Sequence, residues 1–234
     1  MKPIAIIRHG SYNGPELFVE VLAEKQIPMQ LIKVDEGDAI PANPALYSGI
    51  VLMGGAMSAN DDLPWLHDEI ALVKSALARN VPVLGHCLGG QILAKALGAR
   101  VVPSPAAEVG FIPLEVVSPQ ARQWVGDAQQ IAFMQWHTES FELPETAELL
   151  LSSRSCPNQA FSVGDLHIGM QFHCEARIGM VEEWMRDSRE QVIAFDVPSA
   201  HHPDRVLEDA RMLLPRAQDV ARRLYDRWLM NVLV

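Results

Sequence analysis

The sequence predicts an α/β fold in three layers, with a mostly parallel central sheet and a C-terminal helical extension. Three observations lead there. The first two-thirds of the chain alternates short apolar runs with amphipathic ones, the pattern of strands and the helices that cover them. From residue 111 the period shortens to strand-like runs joined by turns. Beyond Ala176 an apolar face at helical spacing returns. At 234 residues the chain is expected to form a single domain, with a core over about 1–176 and the extension over about 177–234.

The elements follow in order. Ile4 to Ile7 reads as the first strand, and Glu16 to Ala23 as a helix opened by Gly14-Pro15. Met29 to Val34 is the second strand. Gly49 to Met53 is a buried strand that ends in Gly54-Gly55, and Trp65 to Ala78 carries Leu66, Ile70, Val73 and Leu77 at helical spacing. Val81 to Gly85 is another buried strand running into Cys87, and Ile92 to Leu97 is a helix that Gly98 can cap. Phe111 to Val117, Ile131 to Trp136, Glu148 to Leu151, Gln159 to Val163 and His167 to Phe172 read as strands. Val206, Ala210, Leu213, Ala217, Val220, Leu224 and Trp228 share one helix face, with Pro215 expected to break or kink the helix and the apolar tail Leu229 to Val234 expected to dock on the domain.

Composition bounds the function. With 49% hydrophobic and 21% charged residues, and no apolar run approaching the ~20 residues of a membrane span, the chain reads as a soluble globular protein. Its start has no secretory pattern, and its three cysteines, Cys87, Cys156 and Cys174, form no C-x-x-C pair; a reducing, cytoplasmic location is expected. A formal charge of −10 and the absence of a Lys/Arg-rich run argue against nucleic acid and leave small molecules or proteins as partners.

Gly85-His86-Cys87-Leu88-Gly89 is a G-x-C-x-G at a strand-to-helix junction, the cysteine form of a nucleophile elbow. So sharp a turn thrusts the reactive side chain outward and brings the flanking backbone together, where only glycine fits. A helix N-terminus favours the thiolate. With 15 glycines in 234 residues, such flanking of one of three cysteines arises by chance about 1% of the time. A cysteine nucleophile needs a histidine, and the histidine an orienting partner. His173 follows an apolar run and has Glu175 two residues on, so in extended chain the two face one side while Cys174 points away. The N–H of Gly55, after the third strand, and that of Leu88 would together receive a developing oxyanion. His86 reads as packing or polar support, Cys156 as structural, and His201-His202 as a solvated loop pair.

These residues resemble the class I, or triad, glutamine amidotransferase family. Gly85 to Gln91 matches its G-x-C-x-G-x-Q elbow and Gly169 to Glu175 its G-x-Q-F-H-x-E segment, while Gln135-Trp136-His137-Thr138-Glu139-Ser140-Phe141 is similar to the region that closes over glutamine in the GMP synthase branch. The resemblance covers roughly residues 1–176. It implies a flavodoxin-like core and a Cys87–His173–Glu175 triad that hydrolyses the glutamine side-chain amide through a γ-glutamyl thioester, with no metal or organic cofactor. It also implies substrate contacts from Gln91, Glu108, Gly110, His137 and Glu139. Two residues depart from the pattern: Cys174 stands where the family usually has proline, and Glu139 where the synthase branch usually has aspartate. No S-G-G-x-D-S-like loop follows, so a complete GMP synthase is not expected, and any ammonia-accepting synthase would act in trans. A γ-glutamyl peptidase is the competing enzyme reading, and a catalytically silent binding or regulatory module is the reading from another class.

Overall fold

The computed structural model describes residues 1–127 and 131–233. Its strands are β1 (Ile4–Arg8), β2 (Met29–Lys33), β3 (Gly49–Leu52), β4 (Val83–His86), β5 (Val101–Val116), β6 (Ile131–Phe141), β7 (Glu148–Ser152), β8 (Ala160–Val163) and β9 (His167–Met170). The helices are α1 (Glu16–Glu24), α2 (Pro64–Ala78), α3 (Leu88–Ala96), α4 (Ala121–Val125), α5 (Ile178–Asp187), α6 (Arg189–Ile193) and α7 (Pro203–Val232). Among the described residues, no helix is long and apolar enough to cross a membrane.

All the strands join one sheet in the order β2-β1-β3-β4-β9-β8-β7-β5-β6. The pairs β2-β1, β1-β3, β3-β4 and β4-β9 are parallel. The pairs β9-β8, β8-β7, β7-β5 and β5-β6 are antiparallel, so the expected mostly parallel sheet is corrected to a parallel block of five strands continued by an antiparallel one. Connection length explains the division. Parallel neighbours need a crossover, which α1 supplies between β1 and β2 and α2 between β3 and β4, while the return from β4 to β9 starts with α3 and runs through β5 to β8; short turns join β7, β8 and β9 as hairpins.

Helices cover both faces of the parallel block. Leu17, Phe18, Val21 and Leu22 of α1 pack with Tyr225 and Trp228 of α7 over Ile4, Ile6, Val51 and Leu84. On the other face Leu66, Leu72 and Val73 of α2, with Ile92 and Leu93 of α3, cover Ala5, Ile7, Ile50, Leu52 and Val83. Burial on both sides is why these strands read as continuous apolar runs. A third cluster joins Val109, Phe111 and Met134 to Met180, Val181 and Trp184 of α5 and to Val206, Ala210 and Leu214 of α7.

Four local readings differ from the sequence expectation. Helix α7 runs through Pro215 without ending there. The buried residues before it, Val206, Ala210 and Leu214, sit in one apolar cluster and those after it, Ala217, Val220 and Leu224, in another, so packing on both sides offsets the proline. Leu214, not Leu213, is the buried residue. Strand β5 begins ten residues earlier than its apolar pattern, because Pro103 and Pro105 mask a stretch that pairs with β6 across a register shift. Helix α3 begins at Leu88 although Gly89 and Gly90 disfavour helix: a Cβ on either would lie 2.3 Å from the Leu52 or the Met170 carbonyl oxygen. Within the C-terminal tail, Leu229 and Val232 are buried, and Val234 lies outside the described residues.

Trp228 is fully buried at the start of β3, where a Cβ on Gly49 would lie 2.8 Å from its ring. Trp228→Ala is expected to lower the unfolding free energy by about 3–5 kcal/mol in urea denaturation; a loss below about 1 kcal/mol would contradict this packing.

Candidate active site

The elbow comes first. Cys87 has φ 47° and ψ −108°, a conformation that side-chain-bearing residues rarely adopt. Its amide donates to Met170 O at 2.8 Å, tying the turn to β9. A Cβ on Gly85 would lie 2.4 Å from the Gly89 backbone, so the close approach on either side of Cys87 requires glycine. The sulfur is held at the N-terminus of α3, and Gln171 Nε2 donates to Sγ at 3.5 Å.

Beyond β9 the chain does not run extended as the sequence suggested: it bends at Gln171 and Phe172, where Gln171 N donates to Gln159 O at 2.8 Å, bridges Met134 at His173 N (2.8 Å to Met134 O), and turns at Cys174 and Glu175. The turn brings Glu175 back onto His173, with His173 Nδ1 2.7 Å from Glu175 Oε1 and both side chains buried. Nδ1 so engaged leaves Nε2 as the ring nitrogen free to exchange a proton on the Cys87 side. Gly54 makes room for the ring, since a Cβ there would lie 2.7 Å from His173 Cε1. Trp184 of α5 closes the other side edge-on, with ring centroids 4.8 Å apart, and fixes itself by donating Nε1–H to Tyr12 O at 2.8 Å. Burial alone would lower the His173 pKa, but the charges of Glu175 and Cys87 and the hydrogen bond with Glu175 raise it to about 10. Glu175, which burial would push up, is held below the ordinary carboxylate range by the histidines beside it, His86 and His173.

His86 is polar support. Its Nε2 lies 3.0 Å from Tyr225 Oη and 3.7 Å from Glu175 Oε2, and burial pushes its pKa down against the pull of Glu175. Cys174 does not point clear of the site as expected: its Sγ lies 3.3 Å from Tyr225 Oη and within 4.8 Å of the Glu175 carboxylate and the His86 ring. Burial raises the Cys174 thiol well above its usual value and pushes Cys156 up to about 11, so neither is primed as a nucleophile.

Cys87 and His173 open into a cavity of about 810 Å³. Gly55 and Leu88 line it, and neither amide N–H has an acceptor among the described residues. Gln91, His137 and Glu139 also line it, but Gln91 spends its Nε2 donors on Glu139 O at 3.1 Å and Gln171 Oε1 at 3.2 Å. Glu108 does not reach the cavity. Its carboxylate is fully buried, accepting from Ser153 Oγ at 2.6 Å and Gln159 Nε2 at 2.6 Å, with His137 Nε2 at 3.0 Å. The substrate contact expected of Glu108 is corrected to a brace under His137. Gly110 is likewise remote from the cavity: at φ 110° it lies against His201, whose Nδ1 would be 2.9 Å from an added Cβ. His201 is thus packed rather than solvated, its amide donating to Val109 O at 2.9 Å.

Two residues at the site were not singled out in sequence. Gln171 lay inside a quoted motif, where its position two residues before His173 was the available signal. Trp184 had none, for it reaches His173 through helix packing.

A family model described as glutamine amidotransferase class-I matches residues 15–188. A solved structure, the glutamine amido transferase from Methylobacillus flagellatus, superposes with a TM-score of 0.96 at 39% identity, covering 99% of this chain and 95% of that one. Gamma-glutamyl peptidase 3 of Arabidopsis thaliana is 28% identical over 175 residues, 71% of this chain and 70% of that protein. The glutamine-hydrolyzing GMP synthase of Streptococcus mutans is 32% identical over 186 residues, 76% of this chain and 34% of that protein.

The folded His173 pKa, about 10, lies above the ordinary 6.5. Its protonation therefore contributes stability that is fully present below about 6.5 and lost as pH rises through about 10. An NMR titration of the His173 ring is expected to place its transition near the upper value in the native protein and much lower in Glu175→Gln; a native transition at the ordinary value would contradict the buried ion pair.

Proposed function

The chain belongs to the class I glutamine amidotransferase family, and from that premise we propose that it hydrolyses γ-glutamyl amide bonds, glutamine's own carboxamide among them, with Cys87 as nucleophile. The observation that carries this reading is the buried Glu175–His173 pair, 2.7 Å between partners, set against a cysteine on a strained elbow at the cavity floor. The Cys87 thiolate adds to the γ-carbonyl, and the carbonyl electron pair moves to an oxygen received by the Gly55 and Leu88 N–H groups. His173 gives its Nε2 proton to the leaving nitrogen as the C–N bond breaks, leaving a γ-glutamyl thioester and neutral imidazole. Water then loses a proton to His173 and attacks, glutamate departs, and the thiolate and imidazolium return. Glu175 holds the imidazole in the required tautomer throughout.

The size of the cavity favours a second substrate class. At about 810 Å³ it lies in the range of clefts that enclose drug-sized ligands, more than a single amino acid fills. A γ-glutamyl compound with a bulky leaving amine would use that room, and the similarity to a protein named gamma-glutamyl peptidase points the same way.

Cys87→Ala is expected to abolish release of glutamate from glutamine and γ-glutamyl substrates, and His173→Ala to lower kcat by roughly 10²–10⁴. Glu175→Gln should be milder than His173→Ala, and Cys156→Ser nearly silent. An active Cys87→Ala protein would sink the assignment.

The cavity wall that Trp184, Glu183 and Asp187 provide comes from the chain's own α5, so the protein alone is expected to be competent. Ammonia release should change little when an ATP-using synthase is added; a rise of about a hundredfold, some 2.7 kcal/mol of barrier, would replace this with a synthase-subunit reading.

A further inference from the structure

Behind the Gly54-Gly55 turn, outside the cavity, lies a second buried pair. His9, the residue after β1, and Glu69 of α2 are both shielded from solvent. The His9 ring stacks on Trp65 with centroids 5.3 Å apart. Its Nε2 lies 2.9 and 3.1 Å from the two Glu69 oxygens, and its Nδ1 lies 3.0 Å from Met53 O and 3.2 Å from Gly54 O. A carbonyl oxygen can only accept, so Nδ1 carries hydrogen wherever the proton between Nε2 and Glu69 resides. Burial opposes a charged His9, but Glu69 and the two carbonyls outweigh it and raise the pKa.

The geometry has a consequence for the opposite end of one peptide. No described peptide bond is cis, so the Gly54 C=O and Gly55 N–H point in opposite directions. Fixing the Gly54 oxygen on His9 therefore turns the Gly55 N–H away from His9, toward the side on which Gly55 lines the cavity. Packing restrains the same unit: a Cβ on Gly55 would lie 3.0 Å from His9 Cβ and 2.7 Å from Leu88 Cδ2. Met53 O, the other carbonyl held by Nδ1, also accepts from Gly89 N at 3.2 Å, so one imidazole ties the glycine turn to the elbow helix. A Gly-Gly peptide has the widest conformational freedom of any, and rotated by half a turn it would present a carbonyl oxygen where the reaction needs a donor. A buried ionisable pair is costly to place and is weak evidence for stability, which leaves its orientation of this peptide as the use the contacts specify.

We propose that His9, backed by Glu69, is a positioning residue that holds the Gly54–Gly55 peptide with its N–H directed at the oxyanion. The inference rests on the Cys87 hydrolase reading, and three measurements on the full chain separate the two. Alkylation of Cys87 by iodoacetamide displaces iodide without creating an oxyanion, whereas hydrolysis of L-γ-glutamyl-p-nitroanilide requires one. His9→Phe, which keeps the ring against Trp65 but has no donor, is expected to lower kcat about 10²-fold, the cost of losing one such donor. KM and the alkylation rate should stay within about twofold, because neither substrate binding nor the thiol is touched. His9→Asn, whose Nδ2 stands near the place of Nδ1, should recover most of kcat, and His9→Gln, whose donor stands near Nε2, should not. Equal kcat in His9→Asn and His9→Gln, or a parallel fall of alkylation and turnover in both, would overturn the proposal. Should the wild type alkylate normally yet hydrolyse neither this substrate nor glutamine, the hydrolase reading falls and takes the proposal with it.

Discussion

The backbone of Cys87 stands at φ 47°, and it stays there because three glycines let the chain pass within contact distance of itself and of two strands. A non-glycine residue in such a region costs about 1–3 kcal/mol and persists only where its surroundings over-determine it. Here they do. The Cys87 amide is bonded to Met170 O of β9, the Gly89 amide to Met53 O beyond β3, and the Gly85 and Gly89 backbones touch. The same contacts place the ends of β3, β4 and β9 side by side, so Gly54, Cys87 and His173 arrive at one point although they lie far apart in sequence.

Burial then sorts the titratable groups. Cys156 and Cys174, enclosed by apolar and hydroxyl neighbours, have thiols pushed above their ordinary range. Cys87 instead faces a histidine that its own charge and that of Glu175 raise to about 10. In this low-dielectric site Glu175 Oε2 accepts no hydrogen bond among the described residues and lies 3.7 Å from His86 Nε2. Trp184 from α5 covers the imidazole, and Gly54 admits it without a clash. The C-terminal helices are in this sense part of the site's wall.

The parallel half of the fold was legible because each buried strand is a short apolar run followed by a helix-period segment. The antiparallel half was legible as strands but not in its extent: prolines in β5 and half-exposed positions blur the alternation. The candidate residues Cys87, His173 and Glu175 could be picked out because the elbow and the His173-x-Glu175 spacing are local patterns, although a turn rather than extended chain joins the last two. Glu108 was misplaced, since nothing local distinguishes a carboxylate facing substrate from one facing Ser153 and Gln159. His9 and Trp184 were invisible for the same reason in reverse: His9 acts on Gly54, 45 positions away, and Trp184 reaches His173 only through the packing of α5. Pro215 shows tertiary packing overriding a local rule.

The central claim is that Cys87, alone among the three cysteines, carries the γ-glutamyl group. Mixing the protein with a γ-glutamyl substrate, quenching in acid and mapping the adduct by peptide mass spectrometry tests it most directly. A hydroxylamine-sensitive γ-glutamyl adduct is expected on the peptide containing Cys87 and none on those containing Cys156 or Cys174. Turnover with the adduct on another residue, or with none at all, would contradict it.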